Sequence, residues 1–230
     1  MLEVAGFTPL STTDWPDKLV AVVFVQGCPW RCHYCHNAGL QPRSGAPRGA
    51  WAQALEVLRR RQGLLDGVVF SGGEPTLDPA LPQAMSAVRD LGFQVGLHTA
   101  GIYPDRLQAV LPLVDWVGFD LKTAWADYER VTAVPRSGEA VQNSLNRVMT
   151  EVRERGIGCE IRTTWHPALH DDRAMGDLGA QLAVRGVREW VWQTCRPTPA
   201  MPVELAAACR EPSAALLDRM AQCGMRVVLR

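Results

Sequence analysis

The sequence has no charge of either sign to spare. Its 230 residues carry 24 basic and 24 acidic side chains, a formal net charge of zero. That removes the electrostatic motive for nucleic acid or an anionic membrane as the main partner. Long apolar runs are also missing: the longest, Leu19–Val25, is far too short to cross a bilayer. The opening Met1-Leu2-Glu3-Val4 has no basic region followed by an apolar one, so no secretory signal is expected. Cysteine is sparse outside one place. The seven present, an odd number crowded toward one end, make a poor disulfide framework. Metal-binding thiols in a reducing cytoplasm are the better reading. No Ser/His/Asp or paired-carboxylate arrangement stands out, and there is no internal repeat or low-complexity tail.

What is present suits one large domain, residues 1–230. Apolar content is 47% and charged content 21%, enough to bury a sizeable core. Residues 1–18 read as a polar, turn-rich lead-in. Leu19–Val25 is a β-branched run of the kind buried on both faces of a parallel sheet. Further strands are predicted over 67–71, 93–98, 116–119, 158–163, 189–193 and 226–229. Helices are predicted between them over 50–61, from Asp78-Pro79 to about Leu91 with Asp78 as N-cap, and over 104–110, 139–155, 172–184 and 212–223. Gln41–Gly49 and Arg196–Pro202 read as loops. This alternation predicts an α/β fold with a parallel sheet. Residues 212–230 form a C-terminal helix and strand appended to it. Trp190 and Trp192, two apart on one strand, are expected in the core and lining the barrel.

The chemistry-bearing residues gather where predicted strands end. Cys28, Cys32 and Cys35, spaced C-x3-C-x2-C, follow the first buried strand. Soft thiolates so close together can hold an iron–sulfur cluster or zinc. Three of them leave one iron of a cubane open to an outside ligand. Zinc would need His33 or His36 as a fourth ligand, and no second cysteine knuckle accompanies the loop. Ser71-Gly72-Gly73-Glu74-Pro75, His98-Thr99, Asp120-Leu121-Lys122, Arg162 to His166 and Gln193 fall at later strand ends, the face on which α/β barrels place their chemistry. Cys159, Cys195, Cys209 and Cys223 are widely spaced and read as buried free thiols.

The C-x3-C-x2-C loop resembles the signature of radical S-adenosylmethionine (SAM) enzymes. Together with Asp14-Trp15-Pro16, Gly27-Cys28-Pro29-Trp30-Arg31-Cys32 and Cys35-His36-Asn37, it resembles the glycyl-radical-enzyme activating enzymes. Among these it is most similar to the short anaerobic ribonucleoside-triphosphate reductase activating proteins. The resemblance implies an incomplete (β/α)6 barrel and a [4Fe–4S] cluster on Cys28, Cys32 and Cys35, with SAM on the fourth iron. It implies that Gly72, Gly73 and Glu74 meet the amino group of SAM, that Tyr34 lies by the adenine, and that His166 lies near the adenine and ribose. Asp120 and Lys122 would face SAM, with Thr99 beside them, and Arg162 would meet its carboxylate as a two-point fork. Related activases carry an acidic residue where this chain has His98, so their monovalent-cation site is not carried over.

The activity so implied needs no side-chain acid or base. A flavodoxin- or ferredoxin-like donor reduces the cluster, SAM is cleaved reductively, and a hydrogen is taken from a glycine of a partner glycyl-radical enzyme, here anaerobic ribonucleotide reductase. Gly73→Val would then weaken SAM binding while sparing the cluster. Three other readings stay open: activation of a pyruvate formate-lyase type enzyme, a small-molecule radical SAM enzyme such as 7-carboxy-7-deazaguanine synthase, and a zinc-binding interaction module.

Overall fold

The computed structural model describes residues 1–45, 47–198 and 201–230. Part of the loops predicted over 41–49 and 196–202 therefore lies outside the described residues. The core is one eight-stranded sheet whose strands are neighbours in the order of the chain. Strand β2 (Val20–Val25) is followed by β3 (Gly67–Gly72), β4 (Gln94–Thr99), β5 (Trp116–Asp120), β6 (Gly158–Trp165), β7 (Glu189–Thr194) and β8 (Arg226–Leu229). Each of these pairs in parallel with the next. Between them run the helices α1 (Ala50–Arg59), α2 (Leu81–Asp90), α3 (Pro104–Val110), α4 (Tyr128–Thr132), α5 (Ser137–Arg155), α6 (Asp172–Val184), α7 (Val203–Ala208) and α8 (Ala214–Gln222). The sheet curls as an incomplete barrel and ends at β8 without returning to its first strand.

Three expectations from sequence need correcting. The lead-in contains a strand, β1 (Val4–Ser11), antiparallel to β2. Gly6 and Pro9 hide it, and the register slips between Val4 and Gly6 and again between Thr8 and Ser11. Only an edge strand tolerates such interruptions. Secondly, Asp78 does not cap α2, which begins at Leu81. Its carboxylate accepts the backbone N–H groups of Glu3 (2.9 Å) and Ala80 (2.8 Å), fastening the segment before β1 to the β3–α2 connection. Thirdly, Trp190 and Trp192 share a face as expected, but it is the outer, helix-facing side of the sheet. They join the main core with Trp165, whose ring stacks on Trp192 at 5.0 Å.

The inner face is filled differently. Trp15, from the turn before β2, stacks on Trp116 at 5.4 Å and packs with Val20, Val22 and Val69. Room for these indoles comes from absent side chains. A Cβ on Gly96 would lie 2.9 Å from the Trp15 ring, and one on Gly158 would lie 2.6 Å from Trp116. Two tryptophans thus close the base of the barrel beneath the polar side chains of the cavity.

Candidate active site

Above the tryptophan pair, at the C-terminal ends of the strands, is a cavity of about 360 Å³. One wall is the cluster loop, which contributes Cys28, Cys32, Tyr34 and Cys35. Gly72, Gly73 and Glu74 line it from the end of β3, and His98 and Thr99 from β4. Asp120 and Lys122 enter after β5, Arg162 and Thr164 from β6, and Gln193 from β7. The cavity therefore gathers every residue expected at a cofactor site except one. His166 is fully buried elsewhere. Its Nε2 donates to the Leu205 carbonyl of α7 (2.8 Å) and its Nδ1 accepts from Ala168 N–H in its own loop (3.1 Å), so neither ring nitrogen is left for a ligand.

The charged centre is a chain of three side chains. Arg162 donates from Nε to Asp120 Oδ1 at 3.1 Å, and its Nη2 lies equally close. Lys122 Nζ sits 3.6 Å from the other Asp120 oxygen. Burial pushes the Asp120 carboxyl up, but Arg162 and Lys122 together outweigh that and hold it below the usual range. For Lys122, burial works against the charge, while Asp120 and then the three cysteines favour it, and the net shift is upward. Two cations thus share one carboxylate, which leaves positive charge facing the loop thiols.

Lys122 is placed by its backbone. Its N–H donates to Tyr128 Oη (2.9 Å), and its carbonyl accepts from His170 Nε2 (2.7 Å). The Tyr34 hydroxyl reaches the same carbonyl at 3.5 Å, tying the cluster loop to the end of β5. Nothing in the sequence singled out His170, which is 48 residues from its partner. Gly118 was missed as well. A Cβ there would lie 2.8 Å from the His98 ring and 2.9 Å from the Arg162 guanidinium, so this glycine makes the space both occupy.

His98 is uncharged. Burial, and then the adjacent Arg162, push its pKa down to about 3. Its Nε2 lies 2.7 Å from the Asp14 carbonyl, which requires the proton there, and its Nδ1 is 3.2 Å from the Ser71 hydroxyl. Glu74, also buried, spends its carboxylate on the protein. It accepts from Thr76 N–H and hydroxyl, from the Thr99 hydroxyl (2.7 Å) and from Ala100 N–H (2.9 Å). Burial raises its pKa and these bonds pull it back.

The glycines beside Glu74 answer to the fold. Gly72 has φ +117, and a Cβ on it would lie 2.5 Å from Val25 backbone atoms. On Gly73 a Cβ would lie 2.2 Å from the Gly27 carbonyl oxygen, in the loop that carries the cysteines. The expectation that Gly73→Val spares the cluster is therefore corrected. The side chain would strike the cluster loop itself.

All three loop cysteines are free and half-buried. Burial pushes Cys28 up to about 12 and raises Cys32, against which Lys122 pulls both down. Among the described residues no three His, Cys, Asp or Glu side chains converge on one point. The donor set nevertheless fits a thiolate-bound cluster. The thiols are soft, share one wall, sit on a loop free of helix or strand, and face a cation that favours their ionised form.

A parallel barrel with three thiols and a cationic cavity at its C-terminal rim defines a class of metallocofactor enzyme. The Radical SAM superfamily profile matches residues 22–177, and this chain belongs to that superfamily, whose members use a [4Fe–4S] cluster and SAM. A Methanocaldococcus jannaschii protein named as a glycyl-radical enzyme activating enzyme is 29% identical over 180 residues, 76% of this chain and 73% of that one. The pyruvate formate-lyase-activating enzyme of Clostridium pasteurianum is 30% identical over 158 residues, 66% of this chain and 64% of its own length. Among solved structures, a radical SAM methyltransferase from Sphaerobacter thermophilus superposes with a TM-score of 0.68 at 20% identity, covering 96% of this chain and 68% of that one. That likeness is one of fold. Among the described residues no helix is long and apolar enough to cross a membrane.

Proposed function

We propose that the chain is a glycyl-radical-enzyme activating enzyme. The observation that carries this reading is one cavity joining the three loop cysteines to the Arg162–Asp120–Lys122 chain. The similarity to activases in two organisms supports it. When bound, the cluster and SAM supply reductive cleavage and a carbon-centred radical that takes hydrogen from glycine. This chain's residues do the holding. Cys28, Cys32 and Cys35 ligate the cluster. Arg162 offers its guanidinium to the carboxylate of SAM, and Asp120 fixes that guanidinium in plane. Backbone carbonyls of Gly72 and Gly73 receive the ammonium. Glu74 and Thr99 brace the turn that presents those carbonyls. Trp30, Tyr34 and Phe24 give the cavity an apolar margin that keeps water off the radical. A cavity of this size lies within the ~300–1,000 Å³ usual for small-ligand sites.

The partner we propose is an anaerobic ribonucleoside-triphosphate reductase, on the resemblance of Cys35-His36-Asn37 and its flanks, acting in a reducing cytoplasm. Similarity to pyruvate formate-lyase activation favours a second reading, a glycyl-radical enzyme of that type. The test is anaerobic cluster reconstitution with SAM, a reductant and each candidate enzyme in turn. A glycyl doublet in electron paramagnetic resonance, with matching 5′-deoxyadenosine, is the expected result. SAM cleavage driven by a metabolite, with no doublet on either enzyme, would overturn the activase reading.

A further inference from the structure

Cys159, Cys195, Cys209 and Cys223 stand apart from the cluster loop, and two of them meet. Cys195 follows β7 and Cys209 follows α7, at the two ends of the connection 196–208. Cys195 belongs to a small apolar cluster with Tyr34, Val131, Leu169 and Met201, and Cys209 packs against it. The two thiols lie within hydrogen-bonding reach of each other. Their contacts to carbonyls are long: Cys195 to Arg196 O at 3.8 Å and Cys209 to Leu205 O at 3.7 Å. Cys159 and Cys223 pack instead against the main core, where the Cys223 thiol reaches Met220 O at 3.1 Å.

The two are unequal. Cys195 is 2% exposed. Burial pushes its thiol up to about 12, and the adjacent Cys209 adds to the rise. Cys209 is half-buried, within reach of a small reagent. It ends α7, a helix with no buried residue. That helix is held by the packing of Leu205, Ala206 and Cys209 and by the bond from His166 to the Leu205 carbonyl. The cluster beneath it includes Tyr34, so α7 backs the wall that carries the cluster loop. A sulfur at the end of such a helix can close from contact to the ~2 Å of a disulfide without moving a strand.

We propose that Cys195 and Cys209 are a reversible redox pair, closed by a low-molecular-weight disulfide such as oxidised glutathione and reopened by a dithiol, and that the closed form pins α7 to the end of β7. Cys209, as thiolate, attacks one sulfur of the small disulfide, and the other sulfur leaves as a thiolate. Cys195 then attacks the Cys209 sulfur of the mixed disulfide and expels the second small thiolate. The two protons given up by the cysteines end on the two small thiols. Two protein thiols are oxidised to one disulfide, and one small disulfide is reduced to two thiols. A buried thiol of high pKa is a poor first attacker, so the order runs from Cys209 to Cys195. The pair is separate from the three loop thiols, so it stands whether or not the activase reading does.

The experiment incubates the cluster-loaded chain anaerobically in glutathione buffers of increasing oxidised fraction. Samples are quenched in acid, alkylated at free thiols and mapped by mass spectrometry. Wild type should yield a peptide joining Cys195 to Cys209, lost on adding dithiothreitol, with Cys159 and Cys223 alkylated. In Cys195→Ser the exchange should stall, and glutathione on Cys209 should exceed the wild-type level about tenfold or more. In Cys209→Ser, Cys195 should remain a free thiol. Amide hydrogen exchange over 203–208 should slow about tenfold when wild type is oxidised. Absence of the linked peptide would overturn the pair. So would a link from either cysteine to Cys28, Cys32 or Cys35, or glutathione taken up by Cys195 in Cys209→Ser. Unchanged exchange over 203–208 with the link formed would overturn the pinning of α7. If a serine variant unfolds, the wild-type link and its effect on exchange decide the proposal by themselves.

Discussion

His98 shows how a side chain can be essential to a cavity and carry no charge in it. The native imidazole gains a proton only near pH 3, while in the unfolded chain it does so near 6.5. Falling pH therefore feeds protons to the unfolded state first, and stability declines across that window, by about 1.4 kcal/mol per pH unit for one group. His170 is shifted in the same direction by burial and adds to the slope. His98→Gln keeps a donor for the Asp14 carbonyl and removes one titration. Unfolding free energies from urea titrations at about pH 7 and about pH 5 should differ by roughly 2 kcal/mol less in the variant than in wild type. An identical difference would mean His98 is already charged. Beside it, Gly118→Ala pushes a methyl group against both the His98 ring and the Arg162 guanidinium. SAM affinity measured by calorimetry should fall at least tenfold, about 1.4 kcal/mol, while iron content is kept. At this scale the sequence is legible where residue type and spacing stand out, as with Cys28, Cys32 and Cys35, which the fold brings to one cavity wall. It is not legible where importance comes from what a neighbour occupies. Gly118 and His170 are ordinary in the chain and matter because of Arg162 and Lys122, residues far from them in sequence.

Among the elements, the connection after β3 is where a motif and its physical cause part company. Gly72-Gly73-Glu74 is recognisable as a string, and its reading as a ligand-facing turn follows from what glycine and carboxylate can do in general. The structure gives each residue a further task within the fold. Gly72 and Gly73 let this turn lie against Val25 and Gly27, and Glu74 staples it to Thr76, Thr99 and Ala100. The turn and the cluster loop are therefore one mechanical unit, fixed further by the Glu74 N–H to Gly27 carbonyl bond at 2.9 Å. Gly73→Ala should lower both iron and SAM bound per chain together, each measurable after anaerobic reconstitution. Full iron content with weakened SAM binding would restore the ligand-approach account. Strand and helix periodicities were otherwise informative. The expected spans of α3, α6 and β8 match the observed ones. The failures have local causes. Strand β1 contains Gly6 and Pro9, and α4 and α7 are too short to show a helical period. Trp190 and Trp192 reveal a shared face by their spacing, but two residues cannot say which side of a sheet that face is on.

For the molecule as a whole, the parallel α/β alternation announces a barrel, but the means of closing its base is spread over four distant places in the chain. Trp15 comes from a turn, Trp116 from β5, and the space for them from Gly96 on β4 and Gly158 on β6. The pair is linked to the site, because the Trp116 ring meets His98 edge-on at 5.5 Å. His98 in turn touches Ser71 and lies against Arg162. The tryptophans are thus the floor on which the polar groups stand. Trp15→Ala removes a buried indole, 6% exposed, from a cluster separate from the main core. The surrounding strands are held by their ladder and cannot collapse into the space, so the loss should be about 3–5 kcal/mol in urea unfolding. Loosening the floor should also weaken SAM binding, although Trp15 is outside the cavity lining. Trp15→Phe keeps an aromatic ring over Gly96 and should recover most of both losses. If stability falls in the alanine variant while SAM affinity is untouched, the base of the barrel supports the fold alone, and the site is positioned by its rim.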